Sequence, residues 1–151
     1  MTDTLTSWSP RALAVLRIMT ALLFIAHGTM KLFGFPAGDS PMTAELFSLM
    51  GLAGILEAFG GLLLLLGLFT RPVAFILAGQ MAVAYFMAHA PQSFYPALNG
   101  GDAAILFCFV FLYLVFAGPG AWSLDGALSG RGAARDPARD GSLALEGGKR
   151  R

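Results

Sequence analysis

Residues 13–33 read LAVLRIMTALLFIAHGTMKLF, a run of 21 whose apolar character is interrupted only by Arg17, His27 and Lys31. At about 1.5 Å per residue, such a helix spans a bilayer hydrocarbon core of about 30 Å. The stretch is too long for a cleaved signal peptide and no small-x-small site closes it, since Pro36 and Asp39 follow instead. It is expected to stay attached. Leu46 to Thr70 repeats the pattern over 25 residues whose only charge is Glu57, and Arg71-Pro72 ends it. A third run extends from Pro72 to about Ala90 and stops at Pro91. The fourth, from Asp102 to about Ala117, is closed by Gly118-Pro119-Gly120.

Four such runs in 151 residues leave too little polar surface to cover them in water. Composition agrees: 56% of residues are hydrophobic, 13% are charged and the mean hydropathy is +0.69, whereas about a quarter of a soluble domain is charged. Membrane strands would alternate over shorter stretches. The expected fold is all-α, an integral membrane four-helix bundle over 13–123, preceded by a cytoplasmic flank 1–12. From Leu124 the composition turns to Gly, Arg, Asp and Ser, so 124–151 is expected to be a disordered polar tail.

Lys and Arg set the orientation. Arg11, Arg17, Arg71 and the six basic residues of the tail all fall on one side, and the loops Gly34–Ala44 and Pro91–Gly101 have none. The positive-inside rule then places both termini in the cytoplasm of a bacterial cell, with the chain passing repeatedly through its inner membrane. Lys31 is the exception, near the outer end of the first span, where its side chain can snorkel to the headgroups. A net charge of +1 argues against nucleic acid as a partner. The single cysteine, Cys108, lies among Leu106, Phe107, Phe109 and Val110, which excludes dithiol chemistry within the chain and suits a small buried hydrophobe.

The remaining polar residues inside the spans need a reason to be there. Arg17, Thr20, His27 and Lys31 share one helical face within roughly 80°, which should turn toward other helices or a wet cavity. A carboxylate at mid-bilayer is costly unless paired, hydrogen-bonded or protonated, which makes Glu57 the strongest signal. Counted from the cytoplasmic ends, His27 and Glu57 lie at depths of about 21 and 20 Å, and Tyr85 near 20 Å. A His27–Glu57 contact with Tyr85 nearby is therefore allowed, either as proton-handling chemistry or as a latch fixing helix register. Gly51, Gly54, Ala58 and Gly61 share one face of the second span, and Ala74, Ala78 and Ala82 form a ridge on the third that aims Tyr85 and His89 inward. Gln80 points the opposite way, to a partner subunit or a backbone bond. Lys31, Glu45, His89 and Asp102 make an outer polar tier, in which Asp102 serves as a helix N-terminal carboxylate or as a counter-charge for Lys31 or His89. No metal site is expected. No covalent-haem, nucleotide or metalloprotease motif is present, and depths of about 21 and 26 Å fit His27 and His89 poorly to one haem iron.

Arg17, His27-Gly28-x-x-Lys31, Glu57-x-x-Gly60-Gly61, Gly67-x-x-Thr70-Arg71, Asn99-Gly100-Gly101 and Gly118-Pro119-Gly120-x-x-Ser123-Leu124-Asp125 together resemble the DoxX family of small bacterial membrane proteins. The likeness covers Leu13 to Asp125. The family usually carries Glu where this chain has Asp102, a shorter arm for any contact there. The resemblance implies a four-helix inner-membrane protein associated with thiosulfate:quinone oxidoreductase, or with oxidoreductase complexes that include a sulfurtransferase and a superoxide dismutase. On that expectation Glu57 and His27 handle protons or hydrogen-bond a quinone, while Lys31, His89, Asp102 and Tyr85 contribute to binding. Lys31 would also attract an anion such as thiosulfate. Partner proteins in a membrane complex, or further copies of the chain, are expected beside the lipid bilayer. The alternatives are a non-enzymatic membrane anchor or assembly factor and, more remotely, a small-solute transporter.

Overall fold

The computed structural model describes residues 2–37 and 43–133. Its long helices are α1 (Thr2–Phe33), α2 (Leu49–Leu66) and α3 (Thr70–His89). They are followed by one turn of helix, α4 (Pro96–Asn99), then α5 (Asp102–Ala117) and α6 (Leu124–Ala133). Ser48 starts α2 by accepting the Gly51 amide on its hydroxyl. Gly67, at φ 64°, ends it in the left-handed region that glycine enters freely. The helix break therefore precedes Arg71-Pro72, and Thr70 opens α3 rather than closing α2.

Three helices, Thr4–Phe33, Leu49–Leu66 and Thr70–His89, are long and apolar enough to cross a membrane. The expected fourth span, α5, is apolar but has only 16 residues, about 24 Å of helix. A second correction concerns 124–151: Leu124–Ala133 is helical rather than disordered, and the rest of that tail lies outside the described residues.

α1 packs on α2 and α3 packs on α5, while the α1 and α5 backbones stay further apart and meet through the rings of Phe24, His27, Phe107 and Phe111. The small residues explain the first pairing. A Cβ on Gly28 would sit 2.5 Å from the Ala58 amide nitrogen, and one on Gly61 2.7 Å from Ile25. Only glycine lets these two backbones approach so closely. Between the pairs lies a core of Phe24, Leu64, Leu77, Met81, Phe111 and Leu114.

At the end of the bundle where α2 and α5 finish and α3 begins, three side chains close three helix termini. Arg17 is fully buried and directs its guanidinium at five carbonyls. These are Leu64 and Leu65 (2.8 Å) at the end of α2, and Pro119 (2.8 Å), Ala121 (3.4 Å) and Trp122 (2.9 Å) in the turn after α5. Its five N–H groups match five acceptors, some of them the carbonyls a helix end leaves open. Arg71 serves Val115 (2.7 Å) and Phe116 (2.9 Å) at the end of α5. Asp125 accepts the Phe69 and Thr70 amides, both at 2.8 Å, at the start of α3. Phe69 and Trp122 hold positive φ (50° and 51°) inside this clasp, a strain that persists only where surrounding bonds fix it. Arg17 thus ties loops to helices rather than anchoring the membrane surface.

Burial pushes the Asp125 carboxyl up, but the Thr70 and Phe69 amides and the Arg17 charge outweigh it and hold the group below its ordinary value. A carboxyl depressed on folding stabilises fully above the unfolded value, about 3.9, and loses that contribution as pH falls through the folded one. Acidification below about pH 4 should therefore lower the detergent unfolding midpoint of the protein. Asp125→Asn should start about 1 kcal/mol less stable and lose less on acidification. Equal acid losses in the two proteins would contradict the clasp.

Candidate functional site

Glu57 lies on a π-helical turn, Leu56–Gly60, inside α2, and its side chain is only 2% exposed. Such a turn carries one more residue than an α-helical turn, which re-aims the side chains on it and is common at functional sites. The Glu57 carboxylate meets the Lys31 ammonium, with Nζ donating to Oε1 at 2.6 Å and also to Oε2. Gln80 of α3 donates through Nε2 to Glu57 Oε1 at 3.1 Å and to the Ala53 carbonyl at 3.3 Å. Lys31–Glu57 is the one ion pair among the described residues.

Three expectations are corrected here. Lys31 turns into the bundle instead of snorkelling outward. Helical side chains lean toward the N-terminus of their own helix, so Lys31 near the end of α1 leans back into the bundle. Glu57, on an antiparallel helix, leans outward to meet it. His27 therefore does not bond Glu57; its Nδ1 donates to the Leu23 carbonyl one turn back, at 2.8 Å. Gln80 makes the backbone bond that was one of its two expected alternatives, to Ala53, but it faces α2 rather than away from the bundle, because α3 has neighbours on two sides and a single inward face does not describe it.

A cavity of about 220 Å³ adjoins the pair. Its polar wall is Lys31, Glu57, His27 and His89, its apolar wall includes Phe24, Met81 and Phe107, and Gly100, Ala103 and Ala104 leave it room. It lies where α1 and α5 part, and His27 is exposed at that gap. His27 stands edge-on to Phe107 with centroids 5.8 Å apart. His89 sits on a second π-helical turn, Tyr85–His89, where its Nδ1 donates to the Asn99 carbonyl at 2.9 Å. Asn99 in turn donates to the Ser93 carbonyl and accepts the Gly101 amide, both at 2.8 Å.

The remaining predicted residues stand aside. Tyr85 stacks on His89 with centroids 6.5 Å apart and forms no part of the cavity wall. Asp102 is exposed in the first turn of α5 and forms no ion pair with Lys31 or His89 among the described residues, and it fits the helix-end role. Glu45 is exposed, and Cys108 is a half-buried free thiol.

The DoxX family profile matches residues 12–90. The chain belongs to the DoxX family. The matched segment holds Arg17, His27, Lys31, Glu57, Gln80 and His89. An uncharacterised protein of Haemophilus influenzae is 45% identical over 82% of this chain and 95% of its own length. The inner membrane protein YqjF of Escherichia coli is 33% identical over 76% of this chain and 90% of its own. An uncharacterised membrane protein of Mycobacterium tuberculosis is 27% identical over 83% and 86% respectively. No solved structure matches the chain significantly. It is a DoxX membrane protein, and its ion pair and cavity fall at the polar residues through which the family resemblance was drawn.

Gln80 supplies a test of the geometry. Gln80→Leu removes a donor from a buried carboxylate and from the Ala53 carbonyl, and should cost about 1–3 kcal/mol in detergent unfolding. Gln80→Glu, which sets a second carboxylate against the first, should cost more than the leucine variant. Equal stability of both with the parent would remove Gln80 from the site.

Proposed function

We propose that this DoxX protein is the membrane subunit of an inner-membrane redox complex and presents a binding cavity to the ring of a membrane quinone. In this reading the chain crosses the membrane four times with both termini cytoplasmic. The short α5 would be accommodated by local bilayer thinning. The cavity carries the proposal, because it places ionisable groups beside aromatic walls at a gap between helices through which a lipid-soluble ring could enter. The residues present fit such a ring: Phe24 and Phe107 for its faces and edges, and Lys31, His27 and His89 for its oxygens. At about 220 Å³, the space suits a ring head group rather than a larger ligand, for which pockets run to roughly 300–1,000 Å³.

A bound quinone supplies two-electron, two-proton chemistry, and Glu57, His27 and His89 are the groups placed to hold or move protons beside it. In this reading Lys31 does not serve to attract thiosulfate. Its charge is matched by Glu57, so the cavity offers a dianion no net attraction, and sulfur or oxidative-stress chemistry belongs to a partner enzyme.

One observation favours a second reading, a membrane anchor whose polar residues only latch the helices: Glu57 is already bonded by Lys31 and Gln80. The two readings separate on one experiment. The tagged protein is isolated from membranes with its partners, extracted lipids are analysed for quinone, and turnover is followed with thiosulfate as donor and a short-chain quinone as acceptor. Glu57→Gln should leave the complex assembled and lower turnover on the order of 10²-fold, the usual scale of a lost acid–base group. Full turnover in an assembled Glu57→Gln complex would favour the latch.

A further inference from the structure

We infer that the cavity selects the reduced, dihydroxylated form of the ring over the oxidised dione, an inference that rests on the ring-binding function proposed above. It follows from the two imidazoles. His27 Nδ1 lies 2.8 Å from the Leu23 carbonyl and His89 Nδ1 2.9 Å from the Asn99 carbonyl. A carbonyl oxygen only accepts, so each Nδ1 carries the hydrogen and each neutral ring keeps Nε2 as a lone-pair acceptor. Neither Nε2 has a protein partner among the described residues. Ring contacts hold both orientations: His27 edge-on to Phe107 and His89 stacked on Tyr85 at an interplanar angle of 22°.

The ion pair adds to the same imbalance. Lys31 has three N–H groups, two of which are taken by Glu57, leaving one donor. A carboxylate offers about four lone-pair sites, of which Lys31 and Gln80 occupy three. His27, His89, Lys31 and Glu57 all line the cavity, so the residues of its polar wall carry two imidazole nitrogens and one carboxylate lone pair as free acceptors, against a single N–H donor. A hydroquinone-type ring, with an O–H at each end, supplies the donors these acceptors lack. The oxidised dione has only acceptors, and brings oxygen lone pairs against nitrogen lone pairs. No electron transfer is needed for this selectivity; it is a property of binding.

The test is equilibrium binding of 2,3-dimethoxy-5-methyl-1,4-benzoquinone and of its hydroquinone, the latter kept reduced under argon, to the full chain in lipid nanodiscs. The hydroquinone should bind about tenfold more tightly, equivalent to about 1.4 kcal/mol. His27→Phe and His89→Phe should each shrink that ratio, whereas His27→Gln and His89→Gln, which return an acceptor oxygen, should retain most of it. Should the phenylalanine variants fail to fold, the ratio in the parent protein decides. Equal affinities, or tighter binding of the dione, would overturn the selectivity while leaving the ring site standing. Binding of neither form would overturn both.

Discussion

A lysine ammonium and a glutamate carboxylate, joined within a bundle of apolar helices, are the constraint around which one half of this DoxX protein is arranged. Either charge alone in that setting costs several kcal/mol, so the two must meet, and the backbone is shaped to let them. Gly28 brings α1 against Ala58, the residue after Glu57. The π-helical turn re-aims Glu57, and opposite helix directions lean the two side chains toward each other. Gln80 then ties the pair to α3, so one carboxylate links three helices.

Polarity is divided between two levels. At one end Arg17, Arg71 and Asp125 meet main-chain groups at helix ends, which membrane-embedded backbone cannot leave unpaired. Every bond the Arg17 guanidinium makes is to a carbonyl, which leaves it no free donor for chemistry. Toward the other end, His27 and His89 retain a free ring nitrogen beside a cavity. The motif residues thus fall into a structural clasp of side chains bonded to main chain and a candidate site whose two imidazoles and ion pair line one cavity.

Much of this was legible from sequence. Apolar length located the three full-length spans, and the cost of burying a carboxylate singled out Glu57. The small residues of α2 marked its close face. The partner of Glu57 was misjudged because depth was counted at Cα atoms, which made His27 level with it and left Lys31 too far out. A lysine reaches several ångströms along the axis, toward the N-terminus of its helix, and that rule applied to both residues would have paired them. The Gln80–Glu57 bond and the two π-helical turns were not legible: an angle count assumes 3.6 residues per turn and one buried face, and this bundle breaks both assumptions. The helix over Leu124–Ala133 escaped a compositional argument because α6 is held by Asp125, which bonds Gly67, Phe69 and Thr70 where α2 gives way to α3, not by apolar burial of its own.

The most direct measurement of the central claim is a double-mutant cycle on Lys31 and Glu57 in detergent unfolding. Lys31→Met and Glu57→Leu should each destabilise by about 3 kcal/mol, since each strands a charge, and the double variant should recover a large part of the summed loss. Additive losses, with no coupling between the two positions, would mean that the pair does not hold the bundle together.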